Sequence, residues 1–223
     1  NNFTVNNLTS VDQSSDVCTN NFATLNALDI DPAGAGDVFA EGNLKLTTNN
    51  NSSPAGARAT IGVSSGKWYA EVKFTDATAW NGVMAVDASI KASTTRIQWY
   101  KGKTLYVNGS NIEPWGNDLS DGDILGIALD MDNNRVTISQ GGQWWGGSSY
   151  NQSQPHTFRN LVSGYDTWTF LCASGAGNRT SEWNFGSAPY SISSGNADAN
   201  GFGNFEYAVP SNYLALCTKN LAE

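Results

Sequence analysis

The run from Gly122 to Ser139 constrains the fold most. It reads G-D-I-L-G-I-A-L-D, then Met131 to Asn134, then R-V-T-I-S. Successive side chains of a strand point to opposite sides. Leu125, Ile127 and Leu129 therefore share one face of the first run, and Val136 and Ile138 share a face of the second. Asn and Asp tolerate positive φ and bond their own backbone, so Met131 to Asn134 can reverse the chain. The segment predicts a buried β-hairpin.

The same period of two recurs along the chain. Trp68, Ala70, Val72 and Phe74 alternate with Lys67, Tyr69, Glu71 and Lys73. A strand follows from Asn81 to Val86. Ile97 and Trp99 form one side of the next, Lys101-Gly102 turns it, and Leu105 and Val107 answer from its partner. Trp168, Phe170 and Cys172 alternate, Gly175 to Gly177 turns the chain, and Trp183 and Phe185 alternate after it. No helical period of ten residues or more interrupts them. Strands separated by polar turns predict an all-β, antiparallel two-sheet sandwich, with eight Trp and nine Phe to fill it. Asn49 to Gly56 reads as a polar turn. Residues 108–121 and 140–156 read as long loops, the first carrying Trp115 and the second Trp144, Trp145 and Tyr150. Asp29, Asp31, Pro32, Gly34 and Gly36 mark a further loop. The division expected is an arm or linker at 1–36, the sandwich at 37–192 and a tail packing on it at 193–223.

Composition excludes several classes. The net charge is −8 and no Lys/Arg cluster occurs, which argues against a nucleic-acid surface. No apolar run approaches the roughly 20 residues of a membrane helix, so membrane insertion is not expected. The first residue is Asn1 and no leader is visible, so the sequence reads as a piece of a longer protein. Three cysteines, Cys18, Cys172 and Cys217, show no metal spacing. They read as small buried side chains, with a Cys18–Cys217 bridge as the alternative.

No constellation for catalysis stands out. A glycan hydrolase needs two carboxylates facing one cleft, whereas Glu71, Glu113, Glu182 and Glu206 are scattered. Asp121, Asp123, Asp130 and Asp132 read as turn-makers. Asp130-x-Asp132-x-Asn134 starts like a calcium loop but has Arg135 where the turn glycine belongs and lacks the closing bidentate Glu. The single histidine, His156, sits in a loop, and no nucleophile elbow or phosphate loop exists. No catalytic residue, metal or cofactor is expected.

Binding is better represented. Flat aromatic faces with amides around them suit sugar rings, whose C–H groups pack on the ring while Asn and Gln bond the hydroxyls. The candidate ligand-binding residues are Trp145, Trp144, Tyr150, Trp115, Trp80 and Gln143. The competing reading for Trp144 and Trp145 is packing against the sheet. Trp68, Trp99, Trp168 and Trp183 lie on strands and read as core.

Four blocks in order resemble the SPRY (B30.2-like) domain, a concanavalin A-like jelly roll. They are Gly66-Lys67-Trp68-Tyr69-Ala70-Glu71-Val72, the hairpin with its G-D-x-I/L-G core, Trp168 to Ala173, and Trp183-Asn184-Phe185-Gly186-Ser187-Ala188-Pro189-Tyr190. Residues 87–120 depart from the family pattern, as does Ile138-Ser139-Gln140-Gly141-Gly142 after the hairpin. The flanks, Thr19 to Asn26 and Phe205 to Leu221, are similar to segments bracketing such domains in tailed-bacteriophage virion proteins, tail fibres and host-recognition appendages in particular. The resemblance implies a non-enzymatic module on the virion surface or tail, extracellular, that recognises a host cell-surface glycan or protein and contacts other virion proteins. Fibres of this kind are usually oligomeric, so a homo-oligomer is implied. Three alternatives stay open: a decoration or cement protein binding only virion subunits, a glycan-cleaving enzyme, and a cellular SPRY adaptor.

Overall fold

A computed structural model describes residues 16–30, 36–50, 55–76, 78–100, 104–115, 118–174 and 177–222. The turn expected at Lys101-Gly102, residues 51–54 and 175–176 of two other expected turns, and Asp31, Pro32 and Gly34 lie outside the described residues. The first strands are β1 (Leu25–Ile30), β2 (Val38–Ala40), β3 (Lys45–Asn50), β4 (Ala55–Ala59), β5 (Lys67–Phe74) and β6 (Ala79–Ala85). The middle of the chain gives β7 (Arg96–Tyr100), β8 (Thr104–Val107), β9 (Ser110–Pro114), β10 (Ile124–Asp130), β11 (Arg135–Gln140) and β12 (Gln143–Trp145). Then come β13 (Tyr150–Gln152), β14 (Arg159–Asn160), β15 (Trp168–Ser174), β16 (Gly177–Asn184), β17 (Leu214–Ala215) and a single helical turn, α1 (Thr218–Leu221).

They form two sheets. One has seven strands in the order β1-β4-β15-β6-β7-β8-β9; the other has ten, with β13-β12-β11-β10-β5-β16-β3-β2 as its main path. The pairings are antiparallel except β17 beside β5. The hairpin forms as the pattern predicts. Asp130 faces Arg135 and Leu129 faces Val136, with Asn134 at φ 50° in the turn. Asp130 closes it by accepting from the Asn133 backbone and side-chain amides and from Arg135 Nε at 2.9 Å.

The inner faces meet in an aromatic core. Trp168, Phe170, Trp183, Phe185 and Trp99 are all buried there. Trp183 stacks on Phe185 at 5.3 Å, and Phe170 meets Trp183 edge-on from the opposite sheet at 5.9 Å. One polar link crosses the core: Asn81 donates to Ser181 Oγ (2.9 Å) and accepts from Trp183 Nε1 (3.2 Å). A buried amide satisfied on both sides fixes register where apolar contacts alone would tolerate slippage.

Both ends of the described residues join this body. Leu25–Ile30, within the segment read as an arm, is the edge strand beside β4, and Asp29 belongs to it rather than to a loop. Arg58 holds it through a forked ion pair, Nε to Asp29 Oδ2 at 2.6 Å and Nη2 to Oδ1 at 2.8 Å. Phe22 and Cys217 form a bridge, and Ala23 donates to the Leu216 carbonyl. Phe22 lies on Gly186, where a Cβ would come within 2.2 Å of its ring and φ is 132°. That glycine of the N-F-G block therefore admits the N-terminal segment. Cys18, Cys172 and Cys217 are free thiols, Cys18 exposed and the others buried; the bridge between Cys18 and Cys217 is not formed.

Two segments read as loops are ordered strands. Ser110–Pro114 pairs with β8. Gln143–Trp145 and Tyr150–Gln152 form a small hairpin added to β11, with Trp144 opposite Ser139. The backbone groups of a glycine-rich stretch next to an open sheet edge are met most simply by extending that sheet.

Candidate binding site

The hairpin at 143–152 decides the fate of most sequence-predicted site residues. Trp144 (2 % exposed) packs on Tyr69 with ring centroids 6.1 Å apart. Trp145 (5 % exposed) lies between Trp115, 5.9 Å away, and Tyr150, 5.3 Å away. Trp115 is itself buried, with the Arg159 guanidinium 4.6 Å above its ring. The ring faces of Trp144, Trp145 and Trp115 are thus covered by protein. The expectation that they are presented on loops is corrected, because burying an indole face against another ring exceeds what exposure in a glycine-rich loop offers. Gln143 is exposed and Tyr150 half-buried at the rim of this cluster.

Trp80 has a different setting. Along β6 and β7, Val83 pairs with Ile97 and Asn81 with Trp99, all facing the core. Trp80, Gly82, Arg96, Gln98 and Tyr100 therefore lie on the opposite face of the seven-stranded sheet. Tyr106, opposite Gln98 on β8, shares it. Trp80 and Tyr106 stack at 4.7 Å with an interplanar angle of 20°, and Tyr100 meets Trp80 edge-on at 5.3 Å. Strands lie roughly 4.8 Å apart, so rings from β6 and β8 can stack only by reaching across β7. They bridge over it beside Gln98.

Beneath that bridge is a pocket of about 150 Å³ lined by Trp80, Ser93, Arg96, Gln98, Tyr106 and Gly109. Gln98 is 1 % exposed, and neither its Nε2 nor its Oε1 has a hydrogen-bond partner among the described residues. A buried amide left unmet costs about 1–3 kcal/mol per group. Gln98 alternates with Ile97 and Trp99 as a strand's second face should. What the sequence does not display is that Ser93, from the segment between β6 and β7, lines the pocket on this face.

A larger cleft of about 540 Å³ runs along 62–68 beside Asp132, Leu214 and Asn220. Two of its polar side chains, Asp132 and Asn220, are engaged. Asp132 accepts from the Gly66 amide at 2.7 Å, and Asn220 donates to Asp198 (2.7 Å) and to the Ala215 carbonyl.

The buried carboxylates are structural. Glu71 is fully buried and accepts from Tyr69 Oη (3.0 Å), Asn184 Nδ2 (3.2 Å) and the backbone amides of Glu206 (2.9 Å) and Tyr207 (2.8 Å). Burial pushes its carboxyl up to about 7 against the pull of those donors. A carboxyl near neutrality is a common mark of catalysis, but here the carboxyl is taken up by two side-chain and two backbone donors of the chain itself. Asp198 accepts from the Asn200, Phe202 and Ala215 amides and from Asn220. Glu182 pairs with Lys45 at 3.0 Å. His156 is exposed, with Nδ1 3.1 Å from Thr157 Oγ1. Among the described residues no group of three or more His, Cys, Asp and Glu could hold a metal ion.

No family model matches the chain, and no curated protein matches it. Solved structures do. The SPRY domain of human HERC1 superposes with a TM-score of 0.50 at 14 % identity, covering 69 % of this chain and 96 % of that one. The TRIM65 PSpry domain gives 0.51 at 15 % identity, covering 72 % of this chain and 91 % of that one. The fold is that of a SPRY β-sandwich.

Proposed function

We propose that this chain is a non-catalytic binding module of a tailed-phage virion, a tail-fibre tip or capsid appendage that recognises a host surface glycan or protein. The observation that carries the non-catalytic part is the use made of the buried acids. Glu71, Asp130, Glu182 and Asp198 each hold donors of the chain itself, so none of these four is free to act on a substrate. General acid–base chemistry needs a group within reach of a substrate proton, and these face inward. The binding part is supported by accessible aromatic and amide groups on both sheets, Trp80 on the seven-stranded one and Tyr150 and Gln143 on the ten-stranded one, of the residues expected from the sequence. The virion setting is supported by the flanking segments alone. Incubating labelled protein with host cells and purified envelope glycans tests the reading. Saturable attachment is expected, and its absence from both would reject it.

A decoration or cement role draws on a separate observation. Leu28 on edge strand β1 (97 % exposed) and Val38 on edge strand β2 present apolar side chains to solvent. Edge strands with exposed apolar groups suit contact with neighbouring subunits. Binding to other virion proteins without any binding to host material would favour this role.

A further inference from the structure

We infer that the pocket under the Trp80–Tyr106 bridge takes a single pyranose ring through two neighbouring hydroxyls; this rests on the reading of the chain as a binding module and specifies one of its sites. Gln98 brings a donor and an acceptor side by side, both without partners among the described residues and both closed to water, so the Trp80 and Tyr106 rings must shift for a ligand to reach them. Two vicinal hydroxyls answer that pair directly, because each hydroxyl both donates and accepts. A secondary amide in its trans form does not, since its N–H and C=O point apart.

The size and walls of the pocket agree. At about 150 Å³ it has room for about five water molecules at their liquid volume, which suits one ring-sized group rather than an oligomer. Trp80 and Tyr106 give it aromatic walls for C–H faces, Arg96 and Ser93 give polar ones, and none of the lining residues is acidic. Its outline disfavours an extended peptide, which needs an open edge or groove. The Ser93 turn and the Asn108-Gly109 turn close one side. They lie so near that a Cβ on Gly109 would sit 2.7 Å from Ser93 Oγ. Gly82, opposite Gln98 on β6, keeps the backbones close, as a Cβ there would fall 1.9 Å from the Ile97 carbonyl oxygen.

The test follows the Gln98 side-chain amide and the Trp80 indole N–H by NMR in the full chain. The probes are the methyl glycosides of glucose, galactose and mannose, with acetamide as a primary-amide control. At least one pyranoside is expected to shift both signals saturably in the millimolar range. In Gln98→Leu, which conserves volume and removes the unmet polar atoms, the pyranoside affinity should fall at least tenfold while the melting temperature holds or rises. If that variant does not fold, Gln98→Met serves the same purpose. No response to any of the three pyranosides, an unchanged affinity in the variant, or a response to acetamide alone would each overturn the inference; the last would point to an Asn or Gln side chain of a protein partner. Attachment of the wild-type chain to cells, measured in parallel, keeps the two readings apart. Cell binding that survives with no pyranoside response contradicts the pocket and leaves the binding module standing, whereas loss of both removes the module as well.

Discussion

Replacing Trp145 by alanine separates the two roles that an aromatic in a glycine-rich segment can have. The indole is enclosed by Trp115 and Tyr150, so its removal leaves a cavity rather than a vacant ligand face. Large-to-small changes of this kind cost about 3–5 kcal/mol, and denaturant unfolding should show a loss of that order. A Trp145→Ala protein with wild-type stability and reduced attachment to host material would restore the surface role expected from the sequence. Gln98 is the opposite case. Sequence spacing places it on a strand beside Trp99, and only the folded sheet shows its amide trapped under two rings.

At the scale of elements, one buried acid joins the β17–β5 pairing in holding the C-terminal tail to the ten-stranded sheet. Glu71 receives the Glu206 and Tyr207 amides, and Phe205 packs edge-on against Tyr69 at 5.1 Å. The folded carboxyl titrates near 7, above its ordinary value of 4.5. A folded value raised above the unfolded one means that the contribution is complete below about pH 4.5 and is lost as pH climbs through about 7. The wild-type unfolding free energy should therefore fall across this window, by on the order of 3 kcal/mol. Glu71→Gln should remove this slope and, by turning an amide donor toward donors, loosen residues 205–207 in hydrogen exchange; an unaltered pH profile would count against the anchor. Gly186→Ala makes a companion prediction for the N-terminal segment. A methyl 2.2 Å from the Phe22 ring must expel it, so exchange protection of Phe22 and Ala23 should drop while the β10–β11 hairpin keeps its own; protection left intact would show the contact to be dispensable.

The same elements show what the sequence made legible. The hairpin at 122–139 and the strands at 67–74, 168–173 and 183–185 were readable because one buried face imposes a period of two. Tyr69 and Glu71 were readable as the other face of β5, but not as buried, since the cover comes from residues as distant in sequence as Trp144, Phe205 and Tyr207. The 143–152 hairpin was hidden because its strands are three residues each, too short to display any period. β1 was hidden for a related reason: its exposed side chains carry no apolar alternation.

For the whole molecule, stability comes from two sheets sharing an aromatic core and from the segments around Phe22 and Cys217 being joined by a β-bridge. No metal centre contributes among the described residues, so a chelator should leave the melting temperature unchanged; a marked drop would reveal an ion that this account omits. If the parent assembly is oligomeric, weak sites on several copies add by effective concentration, and attachment should strengthen steeply with valency. The central claim, that this sandwich grips without chemistry, is tested most directly by mixing the full chain with purified host envelope glycans and following both bound protein and glycan length. Saturable binding with the glycan recovered at its original length is the result predicted. Progressive shortening of the glycan by the chain would contradict the account.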